Sequence, residues 1–199
     1  MTWKCWIERL TLLGISRGKS FSLIALLIED WNQELTPWAV PAVFVKIPFG
    51  DGASNTLKVI TDQLLPSLTA DGIYDASMRI LLGGYSLAGL FALWSACQTD
   101  LFDGIAAASP SVWFPKWIDY ATEKRPLAKS VYLSLGDKEE KTKNPVMAQV
   151  GNAIRKRHEL LTSQDINTIL EWNPGSHFVN SEKRMAKGFA WLMNLSIFH

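Results

Sequence analysis

The stretch that decides the fold is Met78-Arg79-Ile80-Leu81-Leu82-Gly83-Gly84-Tyr85-Ser86-Leu87-Ala88-Gly89-Leu90-Phe91. A short apolar run passes through two glycines to a lone serine. Leu87, Leu90, Phe91 and Trp94 then recur at helical spacing, so the pattern predicts a strand, a sharp turn and a helix. A serine in such a strained strand-to-helix turn projects its hydroxyl clear of the sheet and leaves the next amide free at the helix N-terminus. That makes Ser86 the candidate nucleophile and the Leu87 amide a candidate oxyanion donor. Small neighbours are required, and Gly84, Ala88 and Gly89 supply them, although Ala88 stands where the Gly-x-Ser-x-Gly pattern has its second glycine. Glycines before a helix also serve to pack strand on helix or to cradle a phosphate; the flanking strand and helix patterns favour the nucleophile reading.

A serine hydroxyl is a weak nucleophile and needs a base, itself oriented by a carboxylate. The chain has three histidines. His158 lies in the helical stretch Arg155 to Leu161, where solvation or packing accounts for it, and His199 is the last residue. His177 sits in the turn-rich Asn173-Pro174-Gly175-Ser176-His177-Phe178, after the strand-like 167–172 and before a helix, and alone has the setting of a base. In the order serine, acid, histidine, the acid belongs after the strand-like Val131 to Leu135, in Gly136-Asp137-Lys138-Glu139-Glu140. Glu139 is preferred because its side chain can turn back over the sheet end from a short loop. Asp137 is the alternative, and a solvated charge run is the competing account of the segment.

With these residues in view the chain resembles the α/β-hydrolase family of putative esterases, which includes enterochelin-esterase-like and esterase-D-like proteins. The likeness extends to Glu29 through Trp38, Ala107 through Phe114, Leu135 through Glu140 and Gly175 through Phe178. It implies a three-layer α/β-hydrolase-like fold with a mainly parallel sheet. It also implies cleavage of a small-molecule carboxylic ester or thioester through Ser86, Glu139 (or Asp137) and His177, with no metal or organic cofactor. An acyltransferase would use the same residues, and a non-catalytic relative of the fold is the more distant alternative.

One departure concerns the N-terminal part. Residues Trp3 to Leu13 carry apolar side chains at 3, 6, 7, 10 and 13 and read as an amphipathic helix, and Phe21 to Ile28 reads as a buried strand. By the resemblance these are the first helix and the strand after it, so N-terminal strands are expected to be lacking, in a truncated product or a compact variant. The second oxyanion donor is then left to the backbone around Asp30 and Trp31. Loss of one such donor costs on the order of 10²- to 10³-fold in rate.

The remainder of the sequence fits this picture. At 199 residues, 48% hydrophobic and 20% charged, the chain suits a single domain over 1–199 with one core. Its net charge of +1 gives no reason to expect a nucleic-acid partner, and Arg155-Lys156-Arg157 reads as a wet helix face. Cys5 and Cys97 form no disulfide or metal framework and read as buried thiols of a reducing, cytoplasmic setting. No run is long enough to span a membrane, and oligomeric state leaves no trace in the sequence. Ser54 is expected to cap a helix ending at Pro66, Asn144 and Pro145 to open another, and Ser181 to cap the last. Among nine tryptophans, Trp31, Trp38, Trp113 and Trp117 fall in connections that reach the C-terminal edge of the sheet, where such folds place ligands. An apolar pocket near Trp31 and Trp113, with Tyr85 beside the serine, is the expected substrate site; indoles covering a small core are the competing account.

Overall fold

A computed structural model describes residues 20–43 and 46–195. The helix read over Trp3 to Leu13, Cys5 and His199 lie outside the described residues. Helices α1 (Trp31–Glu34), α2 (Ala53–Val59) and α3 (Leu65–Ala70) precede an alternating series: β1 (Leu81–Tyr85), α4 (Leu87–Ser95), β2 (Gly104–Ala108), α5 (Trp117–Glu123), β3 (Ser130–Gly136), α6 (Val150–Ser163), β4 (Asn167–Asn173) and α7 (Ser181–Asn194). Among the described residues the sheet has four strands in the order β1-β2-β3-β4, all parallel. Parallel neighbours need crossover connections, and these keep one hand. Strands added in one direction therefore stack α4, α5 and α6 on a single face.

That face holds the main core. Ile105, Ala107, Val131, Leu133 and Leu135 point into it and meet Leu90, Phe91, Leu93, Trp117, Ile154 and Leu161. The opposite residues of the same strands face α7. A methyl placed on Gly83 would lie 2.4 Å from Phe189, one on Gly104 would lie 2.7 Å from Leu192, and one on Gly188 would lie 2.8 Å from the Tyr132 ring. Small residues on both partners thus let α7 lie close against β1, β2 and β3. The architecture is the layered α/β arrangement expected from the sequence. Among the described residues no helix is long and apolar enough to cross a membrane.

Several local readings change. Residues 21–28 form no strand: Leu26 and Ile28 pack against the core while Leu27 is 64% exposed. An apolar run becomes a strand only when a neighbour satisfies its backbone, and β1, at one edge of the sheet, pairs only with β2 among the described residues. The helix before β1 does not stop at Pro66. A π turn at Ile60–Leu64 widens the backbone, with the Leu65 N–H donating to the Ile60 carbonyl, and α3 continues with proline in its first turn; proline lacks the N–H that an ordinary turn would require there. Gly52 rather than Ser54 precedes α2, and Asn180, in the left-handed region at φ 54°, precedes α7. Asn144 does open the helical segment before α6, its Oδ1 accepting from the Val146 and Met147 amides.

Arg157 is not on a wet face. It is fully buried, donates to the Ala121 carbonyl at 3.2 Å and lies 5.9 Å over the Trp117 ring, whereas Arg155 is at the surface, paired with Glu140 and stacked 4.7 Å over Trp172. Cys97 is a half-buried free thiol, and burial pushes its pKa up.

The tightest point is the β1–α4 turn. A methyl on Gly84 would lie 2.3 Å from the Ala88 carbonyl carbon and oxygen, backbone atoms that cannot move aside. Gly84→Ala is expected to lower stability by about 1–3 kcal/mol, read as a fall in the chemical-denaturation midpoint; an unchanged midpoint would mean that the turn has room for a methyl group.

Candidate active site

Each strand delivers one polar residue at its C-terminal end. Ser86 follows β1, Ser109 follows β2, Glu139 follows β3 and His177 follows β4. Because the strands are parallel, all four ends lie along one edge of the sheet.

Ser86 has φ 58° and ψ −122°, a conformation that L-residues rarely adopt and that marks a strained turn. Its backbone is fixed on both sides: the amide donates to the Ala108 carbonyl, and the carbonyl accepts from Leu90 and Ser111. The Leu87 N–H is the first of α4 and has no acceptor within the helix. Ala88 is tolerated because Gly84 opposite has no side chain. The Ser86 hydroxyl lies 3.4 Å from the Ser111 hydroxyl; among the described residues this, and not a bond to His177, is its contact. Contacts between nucleophile and base commonly tighten only with substrate bound.

Glu139 opens a short 3-10 turn after β3. Its side chain is 4% exposed, and its two oxygens have separate partners. Oε1 accepts from the Gly136 amide, the Ser109 hydroxyl and Arg184 Nη1, each at 2.7 Å. Oε2 lies 2.7 Å from His177 Nδ1. Burial pushes the carboxyl pKa up, but the hydrogen bonds from His177, Ser109 and Gly136 outweigh it and hold the group below its ordinary value. Asp137, the other acid, faces elsewhere: its Oδ1 accepts from the Gly175 amide at 2.8 Å. The structure therefore brings Glu139, and not Asp137, to the imidazole.

The loop carrying His177 is held residue by residue. The Gly175 N–H bonds Asp137, its carbonyl accepts from the Lys138 amide, and the Ser176 carbonyl accepts from Arg184 Nη2 at 3.0 Å. Tyr85 donates its hydroxyl to the His177 carbonyl at 2.5 Å, and its ring lies 5.2 Å from the imidazole. The hydroxyl of Tyr85, a residue expected beside the substrate, is committed to the loop. Burial raises its pKa, so the phenol remains a donor.

The tryptophans divide. Trp117 is fully buried and stacks on Tyr120, and Trp38 donates to the Pro115 carbonyl and packs on Phe114 and Tyr120; both serve the core. Trp113 is half-buried, edge-on to Phe49 at 6.1 Å, and Trp31 is 45% exposed. The Asp30 amide, a suggested second oxyanion donor, already donates to Glu34 Oε1 at 2.7 Å, while Asp30 caps α1 through the Gln33 amide. Two features escaped the sequence reading. Phe178, 90% exposed, stands edge-on to the imidazole at 5.1 Å, and Arg184 lies buried behind Glu139. Among the described residues no group of three or more His, Cys, Asp or Glu side chains converges as a metal site would.

A serine in a strained strand-to-helix turn, on a parallel sheet covered on both faces by helices, defines an α/β-hydrolase-like fold. Residues 22–177 match the model of the family described as Putative esterase, and the chain belongs to that family. Among solved structures it is similar to the siderophore hydrolase EstA of Aspergillus nidulans, with 21% identity, TM-score 0.62, and 83% of this chain and 66% of that one covered. It is likewise similar to an IroE-like serine hydrolase of Shewanella oneidensis (19%, 0.66, 81% and 56%) and to the enterobactin esterase FES of Shigella flexneri (17%, 0.58, 70% and 38%). The chain spans less than two thirds of the length of each. No curated protein sequence matches it.

The depressed pKa of Glu139 has a consequence for stability. A carboxylate held below its unfolded value contributes stability that is complete above that value, about 4.3 for glutamate, and lost as pH falls through the lower folded value. The denaturation midpoint of the wild type is expected to drop more steeply on acidification below about pH 4.3 than that of Glu139→Gln; parallel curves would mean the carboxylate is not held as described.

Proposed function

We propose that the protein is a serine esterase that cleaves a carboxylic ester through an acyl-enzyme on Ser86. The observation that carries this reading is the 2.7 Å contact between Glu139 Oε2 and His177 Nδ1, made by a loop anchored to Tyr85, the residue immediately before the elbow serine. With Nδ1–H directed to the carboxylate, Nε2 is left unprotonated to act as base. Ser86 Oγ then attacks the ester carbonyl carbon as His177 takes its proton. The new C–O bond places negative charge on the carbonyl oxygen, for which the Leu87 amide, the first of α4, is the donor. Collapse breaks the bond to the alcohol, which leaves with the proton from His177. Water repeats the sequence on the acyl-enzyme, releasing acid and restoring Ser86. Glu139 stabilises the imidazolium formed in each half without itself taking the proton.

Family membership supports ester hydrolysis in general. The siderophore and enterobactin esters named for the structural neighbours are the first substrates to try, and the exposed aromatic faces of Phe178 and Trp31 suit acyl or alcohol groups with flat rings.

Labelling with a fluorophosphonate probe, read by intact mass, tests the reading. One adduct is expected on the wild type, none on Ser86→Ala and a strongly slowed one on His177→Ala. Glu139→Gln is expected to slow labelling on the order of 10²- to 10⁴-fold, and Asp137→Asn by far less. A folded wild type that takes no adduct would remove the esterase assignment, and an equal effect of the two acid substitutions would remove the choice of Glu139.

A further inference from the structure

Arg184 takes no part in the reaction as drawn, yet it touches more of the site than any residue in it. It projects from the first turns of α7, and its side chain is 1% exposed. Nη1 reaches Glu139 Oε1 at 2.7 Å, Ser109 Oγ at 2.8 Å and the Tyr85 hydroxyl at 3.1 Å. Nη2 reaches the Ser176 carbonyl at 3.0 Å and the Pro174 carbonyl at 3.5 Å. Space around the fork is fully used: a methyl on Gly136 would lie 2.9 Å from Nη2 and from Glu139 Oε1, and 2.4 Å from the Gly175 carbonyl.

We propose that Arg184 is a positioning residue for ester cleavage, its two terminal nitrogens fixing the acid and the loop of the base as one rigid unit. This rests on the esterase reading. Glu139 has to present one oxygen to the imidazole while the other is held from behind, and the His177 ring has to stay within reach of that oxygen while its loop has no regular structure of its own. A planar fork meets both needs, because the angle between its arms is fixed. Lysine offers a single nitrogen on a flexible stem and can satisfy one partner but not both. A buried ion pair adds little net stability over a well-packed apolar replacement, so what the fork supplies is geometry, and displacement of about 1 Å at such a site costs around 10²-fold in rate.

The charge has its own effect. The titratable and charged groups around the loop are Glu139, Asp137 and Lys138 from the turn after β3, Tyr85 from β1 and Arg184 from α7; Lys187, also on α7, is paired with Glu171 of β4. Removing the guanidinium leaves the Glu139 carboxylate buried without its cation.

Two variants separate geometry from charge. Arg184→Lys keeps the charge and loses the fork; Arg184→Met keeps bulk and loses both. Fluorophosphonate labelling of Ser86 is expected to slow by about 10-fold in the lysine variant and about 100-fold in the methionine variant. The downfield NMR resonance of the His177 Nδ1 proton, bonded to Glu139, is expected to weaken in Arg184→Lys and to be lost in Arg184→Met. A residue that only stabilised the fold would reduce labelling in proportion to the folded fraction and leave that resonance in place. Wild-type labelling in either folded variant, or an unchanged resonance in folded Arg184→Met, overturns the proposal. Should Arg184→Met fail to fold, Arg184→Lys decides: slowed labelling with an intact near-UV spectrum supports positioning, and an unchanged rate overturns it. A folded wild type that takes no probe sinks the esterase reading instead, and the resonance still reports whether Arg184 fixes the acid against the base.

Discussion

A carboxylate taken out of water must be compensated where it sits, or it takes up a proton and ceases to be a carboxylate. Glu139 is in that position, and much of the surrounding structure can be read as the compensation. Three donors converge on one of its oxygens from three parts of the chain: the Gly136 amide at the end of β3, the Ser109 hydroxyl after β2 and the Arg184 guanidinium from α7. The second oxygen is thereby left with one partner, His177 Nδ1. Ser109 itself occupies the left-handed region at φ 44°, and Gly136 has no room for a side chain. The backbone is bent around the carboxylate rather than the carboxylate being added to a finished backbone.

The sheet makes this convergence possible. Four parallel strands in sequential order, connected by crossovers of one hand, bring their C-terminal ends to a common edge while the crossover helices fill a common face. The residues after successive strands become neighbours without any long loop. Strain concentrates at the first of them, where Gly84 and Ala88 approach so closely that Ser86 must take a positive φ. Ser109 also takes a positive φ, whereas Glu139 and His177 lie in turns and depend on hydrogen bonds for their placement.

The parts of the fold legible in the sequence were those whose cause is local. The elbow announces itself through glycine spacing, and His177 and Glu139 through the turns that carry them. Long-range causes were not legible. A charged residue in an amphipathic helix reads as solvent-facing, and neither Arg157 nor Arg184 carries a local sign that its guanidinium is buried; only Trp117 and Ala121, or Glu139 and Ser176, far along the chain, make that burial tolerable. The run at 21–28 has the composition of a strand, and composition cannot provide a neighbour for it to bond. Pro66 reads as a helix stop because the rule assumes an ordinary turn before it, and the π turn removes that assumption. Trp38 sits in a connection, as the sequence indicated, whereas Trp117 opens α5, and both indoles turn into the core rather than toward the sheet edge.

The placement of Arg184 on α7 divides the supports of the site between two parts of the chain. The main core takes its buried residues from Leu35 to Ile166, all of which precede α7 (Ser181–Asn194). The cation beside Glu139 and the donor to the Ser176 carbonyl both come from α7. The elbow therefore belongs to the core, while the prop behind the carboxylate is supplied from the opposite layer, so loosening of the last described helix would reach the acid and its neighbouring loop before it reached the serine.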